Sequence, residues 1–353
     1  MLKKLQLQNF RNYDKKDFEF EGLTTVVIGP NTSGKTNLVE SIYLLAFGKS
    51  FRTDKDAQML KFSEEIGRVK GKTEDTELEV VLTNGFLYGQ KSQYKKFLVN
   101  GVSKRKVDFQ GNFSVVMFSP QDLEIIIESP SLRRNFLDEV LEQVDKSYRV
   151  DITSYNKALR QRNALLELAR DTGVRNEKQF EYWNELLIKH GQNITNKREE
   201  FITFANNSQK TIFDFLINYD KSIISEERLN QYREAEVGAG VTLVGPHRDD
   251  FSVSMFNKAD DSTHDIKYFG SRGQQRLAIL QLKHIEIEYI ENALGKRPTF
   301  VLDDIFSELD EGHIGLILEI LGEQQTIITT THKEFLPKEI IDKVQLIKFV
   351  KEV

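Results

Sequence analysis

Two glycines separated by four residues and followed by Lys-Thr occur in Gly29-Pro30-Asn31-Thr32-Ser33-Gly34-Lys35-Thr36. The run follows an apolar stretch, Leu23 to Ile28, and precedes a helical pattern over residues 37–47. Strand, glycine loop and helix in that order form a cradle for phosphate. Backbone N–H groups curl around the oxygens, and the helix N-terminus adds partial positive charge. Lys35 is expected to reach the β- and γ-phosphates, the Thr36 hydroxyl to ligate Mg²⁺, and Asn37 to continue the phosphate-facing set in the first helical turn. The residues do not choose between ATP and GTP.

A second chemical signal is Thr299-Phe300-Val301-Leu302-Asp303-Asp304, an apolar run ending in two carboxylates. In a parallel sheet the carboxyl ends of strands face the ligand crevice. Asp303 is placed to hold Mg²⁺ and Asp304 to orient or deprotonate an attacking water. Asp304 is one methylene shorter than glutamate, so slow hydrolysis is expected.

A third signal is Gly270-Ser271-Arg272-Gly273-Gln274-Gln275-Arg276. Ser271 and Gln274 make a capping box, and a capped helix start freed of side chains by Gly270 and Gly273 is a second anion site. Two copies facing each other would set it against the γ-phosphate of the partner's nucleotide. A well-capped helix with no ligand is the bland alternative.

Positioning these groups takes strands and helices in a split arrangement. Leu5, Leu7, Phe18 and Phe20 alternate with polar residues as half-buried strands do. Asn100-Gly101 marks a hairpin turn. Ser129-Pro130 reads as a helix start, and apolar residues at helical spacing from Leu132 to Phe204 predict long antiparallel helices broken near Asp171-Thr172-Gly173. The expected organisation is α/β. An ATPase lobe with a mixed sheet is assembled from residues 1–120 and 240–353, with a helical lobe, residues 121–239, inserted between them.

Phosphate loop, Ser-x-Gly-Gln, apolar-Asp-Asp, then Ser307-Glu308-Leu309-Asp310 follow the order of ABC-type ATPases. Among these the chain resembles the RecF family, related to SMC and Rad50 heads. The resemblance rests on Asn9-Phe10-Arg11-Asn12-Tyr13, Ser129-Pro130-Ser131-Leu132-Arg133-Arg134, Phe136-Leu137-Asp138, Val244 to Asp250 and Gly273-Gln274-Gln275-Arg276. It implies a two-lobed head that dimerises around two ATP molecules with Mg²⁺, and that binds DNA at single-strand gaps beside duplex, with RecO and RecR as partners. It sets Ser271, Gly273 and Gln274 toward the partner's γ-phosphate and Asp310 at the dimer seam. Arg11 and Asn12 come near the nucleotide phosphates, and Gln121 comes near the metal. His332, after Thr329-Thr330-Thr331, is expected at the γ-phosphate. Thr32 departs from the family's usual glycine.

Composition narrows the alternatives. The chain has 353 residues, 49 Lys+Arg against 54 Asp+Glu, a formal charge of −5 and no cysteine. Disulfides, cysteine-ligated zinc and thiol catalysis are excluded, as is nucleic-acid coating by bulk charge. No apolar run approaches the length of a membrane span, and a soluble cytoplasmic protein is expected. Two local basic stretches remain candidates for DNA contact: Lys91, Lys95, Lys96, Lys104, Arg105 and Lys106; and Lys146, Arg149, Lys157, Arg160, Arg162 and Arg170. His247-Arg248-Asp249-Asp250 has poor ligand spacing for a metal and reads as a structural loop. The rival readings are a transporter ATPase subunit, an SMC or Rad50 head, and a regulatory ATPase that does not act on DNA. Residues 130–218 are too short for the long coiled coils of SMC or Rad50.

Overall fold

In the computed structural model, residues 1–257, 261–305, 315, 323–331, 334 and 344–349 are described. They divide into two compact units, residues 1–122 with 280–353, and residues 123–279. The expected boundary at 240 therefore falls inside the second unit. The reason is strand pairing: Leu216–Asp220 pairs antiparallel with Asp250–Asn257, which pairs with Ser262–Asp265. The chain beyond 240 is thereby tied to the residues before it.

Among the described residues the first unit holds two large sheets, besides a small hairpin at Phe86–Lys91. One is antiparallel, in the order Tyr13–Glu19, Leu2–Phe10, Ile66–Thr73, Glu77–Thr83, Lys95–Val99, Val102–Lys104. The other is parallel, in the order Val115–Phe118, Thr299–Asp303, Thr326–Thr330, Thr24–Ile28, Gln345–Lys348. Its strands Thr299–Asp303 and Thr326–Thr330 are buried throughout, as parallel strands covered on both faces must be. The helix Lys35–Phe47 is apolar nearly all round, with Leu38, Val39, Ile42, Tyr43, Leu44, Leu45, Ala46 and Phe47 all buried. A helix of that kind belongs inside a protein, and it packs against strands of both sheets. Its close approach needs Gly71, where a Cβ would lie 2.4 Å from Leu45 Cδ1. The two ends of the unit are stitched by Gln325, whose side chain accepts from Leu2 N at 2.7 Å and donates to Leu2 O at 2.7 Å. The hairpin expected at Asn100-Gly101 is present, with Val99 opposite Val102 and φ of 50° and 77° at the turn.

The second unit is built on helices Pro130–Val144, Lys146–Thr172 and Glu177–Asn207. The break falls at Gly173, in the left-handed region at φ 71°. Ser129 precedes Pro130 as expected, but its side chain does not cap the helix. Its hydroxyl pairs instead with Ser131 Oγ at 2.6 Å. The helical pattern ends at Asn207 rather than at 218, because residues 216–220 form the strand.

Several charged groups inside this unit are paired. Arg162 and Glu236 are both fully buried, 2.6 Å apart, with Thr242 Oγ1 and Asn184 Oδ1 completing the guanidinium's bonds. Arg198 reaches Asp138, Asp249 and Pro246 O, and Arg133 forks onto Asp250 at 2.6 and 3.0 Å. Asp249 also accepts from Tyr219 Oη and Ser222 N. The Gly245–Asp250 loop is thus a polar knot. Arg149 and Arg162 are buried, so the basic stretch 146–170 is not a continuous charged surface. Burying charge without a partner is costly. Glu236→Leu should therefore lower unfolding free energy by about 3–5 kcal/mol in urea titration, and a loss below about 1 kcal/mol would mean that water reaches Arg162.

His247 lies within the same knot. Tyr155 Oη donates to its Nδ1 at 2.7 Å, and its Nε2–H donates to Thr242 O at 3.0 Å. Burial holds its pKa down at about 4, against an ordinary 6.5. Between those values the unfolded chain binds more protons than the folded one. Stability is therefore complete above pH 6.5 and falls as pH drops toward 4, by up to about 3 kcal/mol. His247→Gln should flatten the urea midpoint against pH in that window, whereas an equally steep profile would assign the acid sensitivity elsewhere.

Candidate nucleotide site

The parallel strands end together. Ile28, Asp303 and Thr330 lie at the same carboxyl edge, in strands paired through Thr326–Thr330, which is where an α/β sheet takes its ligands. The loop Gly29–Gly34 leaves that edge and enters the helix at Lys35.

The loop is tightly determined. Gly29 N donates to Thr330 O at 3.2 Å. Gly34 sits at φ 102°, and a Cβ there would stand 2.8 Å from Tyr13 Oη and 3.0 Å from Asn12 Nδ2. Tyr13 Oη donates to Gly34 O at 2.9 Å. Thr32 has φ 68°. The backbone therefore takes a glycine-like conformation with a β-branched residue in it, a strained combination. Asp304 is likewise left-handed at φ 52°, with its N–H on Thr329 O and Oγ1.

Lys35 is buried and folded back on the loop, donating to Gly29 O at 2.8 Å and Pro30 O at 3.1 Å. Burial pulls its pKa below the ordinary lysine value, with Asp304 and Asp303 opposing. Burial also raises Asp303, assisted by the like charge of Asp304. Hydrogen bonds from Thr329 and Thr36, and the charge of Lys35, oppose that rise. Thr329 Oγ1 donates to Asp303 Oδ1 at 2.6 Å. Both ionised groups carry a desolvation cost that a divalent cation by Asp303 and a polyanion by Lys35 would offset. The Ser33 hydroxyl is buried in the loop with no hydrogen-bond partner among the described residues. The donor set, hydroxyl plus carboxylate, suits Mg²⁺.

Asn12 and Asn37 adjoin the loop, and Arg11 reaches the helix that follows it. Asn37 Nδ2 donates to Asn12 Oδ1 at 2.7 Å, and Arg52 donates to Asn37 Oδ1 at 2.8 Å. Arg11 sends Nε and Nη2 to Glu40 and Nη1 to Gln58 O. Glu40, fully buried on the phosphate-loop helix, also accepts from Ser50 Oγ and faces Arg52 at 3.5 Å. Neither Glu40 nor Arg52 was among the expected site residues. The available signal was a lone carboxylate in a mostly apolar helix stretch, Leu38 to Phe47.

Gln121 is exposed in the turn Pro120–Leu123, just past the strand Val115–Phe118. In the second unit, Ser271 and Gln274 form the expected reciprocal box: Ser271 N donates to Gln274 Oε1 at 2.8 Å, and Gln274 N to Ser271 Oγ at 3.2 Å. Ser271 is exposed, and Gly273 lies in the first turn of the helix Arg272–Leu294. Asp310 and His332 lie outside the described residues.

Gly34→Ala should cost about 1–3 kcal/mol, because the new Cβ meets both a disfavoured φ and the Tyr13 ring. Thermal melts that coincide for variant and parent would show that the loop relaxes freely.

A family model, "RecF/RecN/SMC N terminal domain", matches residues 1–352. A DNA replication and repair protein RecF of Bacillus cereus (strain G9842) is 34% identical over 363 residues, spanning 96% of this chain and 94% of the relative. Its counterpart in Bacillus thuringiensis (strain Al Hakam) is 34% identical over 369 residues, spanning 98% and 96%. A solved structure of the recombination mediator protein RecF-ATPrS in the RecFOR pathway superposes with a TM-score of 0.84 at 33% identity, covering 96% of this chain and 94% of that one. The corresponding RecF-ATP structure gives 0.83 at 32%, covering 95% and 93%. With matched length, fold and loop order together, the chain belongs to the RecF family of ABC-type ATPase heads.

Proposed function

We propose that this protein is an ATP-gated DNA clamp of recombinational repair and replication restart, working at junctions of single-strand gaps and duplex. The observation that carries the reading is the convergence of the Gly29–Thr36 loop, Lys35, Thr36 and Asp303 at the carboxyl edge of one parallel sheet. A relative spanning 96% of this chain is named for DNA replication and repair, and a similar solved structure is described as RecF-ATP.

In this reading Gly29 to Thr36 cradle the triphosphate with backbone N–H groups, and Lys35 swings from the Gly29 and Pro30 carbonyls to the β- and γ-phosphates. Thr36 and Asp303, with Gln121 nearby, hold Mg²⁺, which neutralises phosphate charge when bound. Arg11 spends three of its five N–H donors on Glu40 and Gln58, leaving two for phosphate. Asn12 and Asn37 line the same side. Asp304 orients the attacking water, and its short side chain keeps hydrolysis slow, with His332 as the γ-phosphate contact. Ser271, Gly273 and Gln274 of one copy close on the nucleotide held by the other, with Asp310 at the seam. Such an interface is two-fold. ATP binds the closed pair better than the open one and shifts the population, and hydrolysis reopens it. RecR and RecO are the expected protein partners by family, and the cytoplasm the expected compartment. Among the described residues no helix is long and apolar enough to cross a membrane.

Ser271→Arg discriminates this reading from a regulatory ATPase that ignores DNA. The variant should keep ATP affinity within about twofold yet weaken ATP-dependent binding to a gapped duplex by at least about tenfold, equivalent to 1.4 kcal/mol. Equal DNA binding by variant and parent would remove the partner helix from the mechanism.

A further inference from the structure

The first unit carries a surface feature that nucleotide chemistry does not use. From Phe86 to Lys106 the sequence has six cationic residues and no acidic one, in a chain whose formal charge is −5. Within this stretch a two-residue hairpin joins Phe86–Leu87 to Gln90–Lys91. Its turn residues are Tyr88 and Gly89, at φ 51° and 77°. Positive φ at both positions is the type I′ geometry that selects Asn, Asp or Gly. A tyrosine there is strained.

Packing does not explain the tyrosine, because its relative exposure is 90%. Its N–H is held by Glu65 Oε2 at 3.0 Å, so the tip is fixed in direction while the ring stands free in solvent. Phe86 and Tyr94 are about half exposed, and Phe62 is 93% exposed on the segment leading to Glu65. Glu65 O also accepts from Asn84 N, which ties that segment to the base of the hairpin. Of the cations, Lys95 is occupied by Asp56 and Gly48 O, and Arg105 by Asp108. Lys91, Lys96 and Lys104 are exposed and have no acidic partner among the described residues.

From this we infer that the Phe86–Lys91 hairpin is a stacking platform for single-stranded nucleic acid, with Tyr88 against a base and Lys91 and Lys96 on the flanking phosphates. The inference rests on the DNA-binding reading above and adds to it a strand preference and a site. Free cations beside projecting aromatic faces match a polyanion whose rings are unstacked. A duplex keeps its base faces covered, and an acidic peptide would need the lysines but not the strained ring. Contact would be sequence-tolerant and salt-sensitive.

The test uses the full chain, a labelled oligothymidylate, a blunt duplex of equal length, and the Tyr88→Asn variant. Asparagine suits the turn, so the melting temperature should stay level or rise. Stacking on one aromatic accounts for about 5- to 160-fold in affinity. Tyr88→Asn should weaken oligothymidylate binding within that range and change duplex binding by less than about twofold. Lys91→Gln with Lys96→Gln should make the single-strand salt slope shallower by about 1.4. Unchanged oligothymidylate affinity in Tyr88→Asn overturns the platform. An equal loss on duplex overturns it too, since the surface is then only generally basic. Competition by polyglutamate as effective as by unlabelled oligothymidylate also overturns it, in favour of an acidic protein partner. If ATP-dependent gapped-duplex binding persists in Tyr88→Asn while oligothymidylate binding is unaltered, only the platform fails. If the parent chain binds no DNA of any form, the clamp reading fails with it.

Discussion

The tight turn from Ile28 to Lys35 constrains the rest of the first unit. A strand buried at Thr25, Val26 and Val27 must reverse into a helix buried from Leu38 onward, with six residues between the two elements. Gly34 makes this possible at φ 102°, with Tyr13 and Asn12 packed where any side chain would stand. Because Tyr13 begins the second strand of the antiparallel sheet, the phosphate loop is braced by a sheet other than the one it leaves. Glu40 extends the brace. One buried carboxylate gathers Arg11, Ser50 and Arg52 around the first turns of the helix, so the loop, the start of the antiparallel sheet and the segment after the helix are held as one piece.

The electrostatics follow from that packing. Lys35 and Asp303 are both buried, and burial disfavours the charged form of each. They oppose this only partly by mutual attraction. The arrangement is suited to gain from a ligand that carries both signs, a polyphosphate with its divalent cation. The second unit handles buried charge differently. Arg162 pairs with Glu236 and Arg198 with Asp249, each helped by neighbouring polar atoms, so those ionised groups stiffen the helical unit rather than await a ligand.

Much of this is legible in the sequence because the signals are local. The Gly-x4-Gly-Lys-Thr spacing, the apolar run ending in Asp-Asp, the Ser-x-x-Gln box and the Asn-Gly hairpin each depend on a few adjacent residues, and each appears where the pattern requires. What escapes is set by distant pairing. The second unit runs on to residue 279 because Leu216–Asp220 pairs with Asp250–Asn257, and no single stretch records that partnership. Arg149 and Arg162 count as surface charge by composition, yet helix packing turns both inward. Ser129 has the residue type of a helix cap, but its hydroxyl prefers Ser131. Tyr88 is unremarkable in sequence, and only its backbone angle marks it.

In the proposed clamp, one chain supplies half of each working nucleotide pocket and a second copy supplies the other half. Static light scattering on the Asp304→Asn variant, in which hydrolysis is expected to be impaired, with and without ATP and Mg²⁺, tests this most directly. The account requires the mass to double on adding ATP and Mg²⁺ and to stay doubled while nucleotide is present. A monomer mass under saturating ATP and Mg²⁺, with nucleotide binding verified in the same sample, would contradict it.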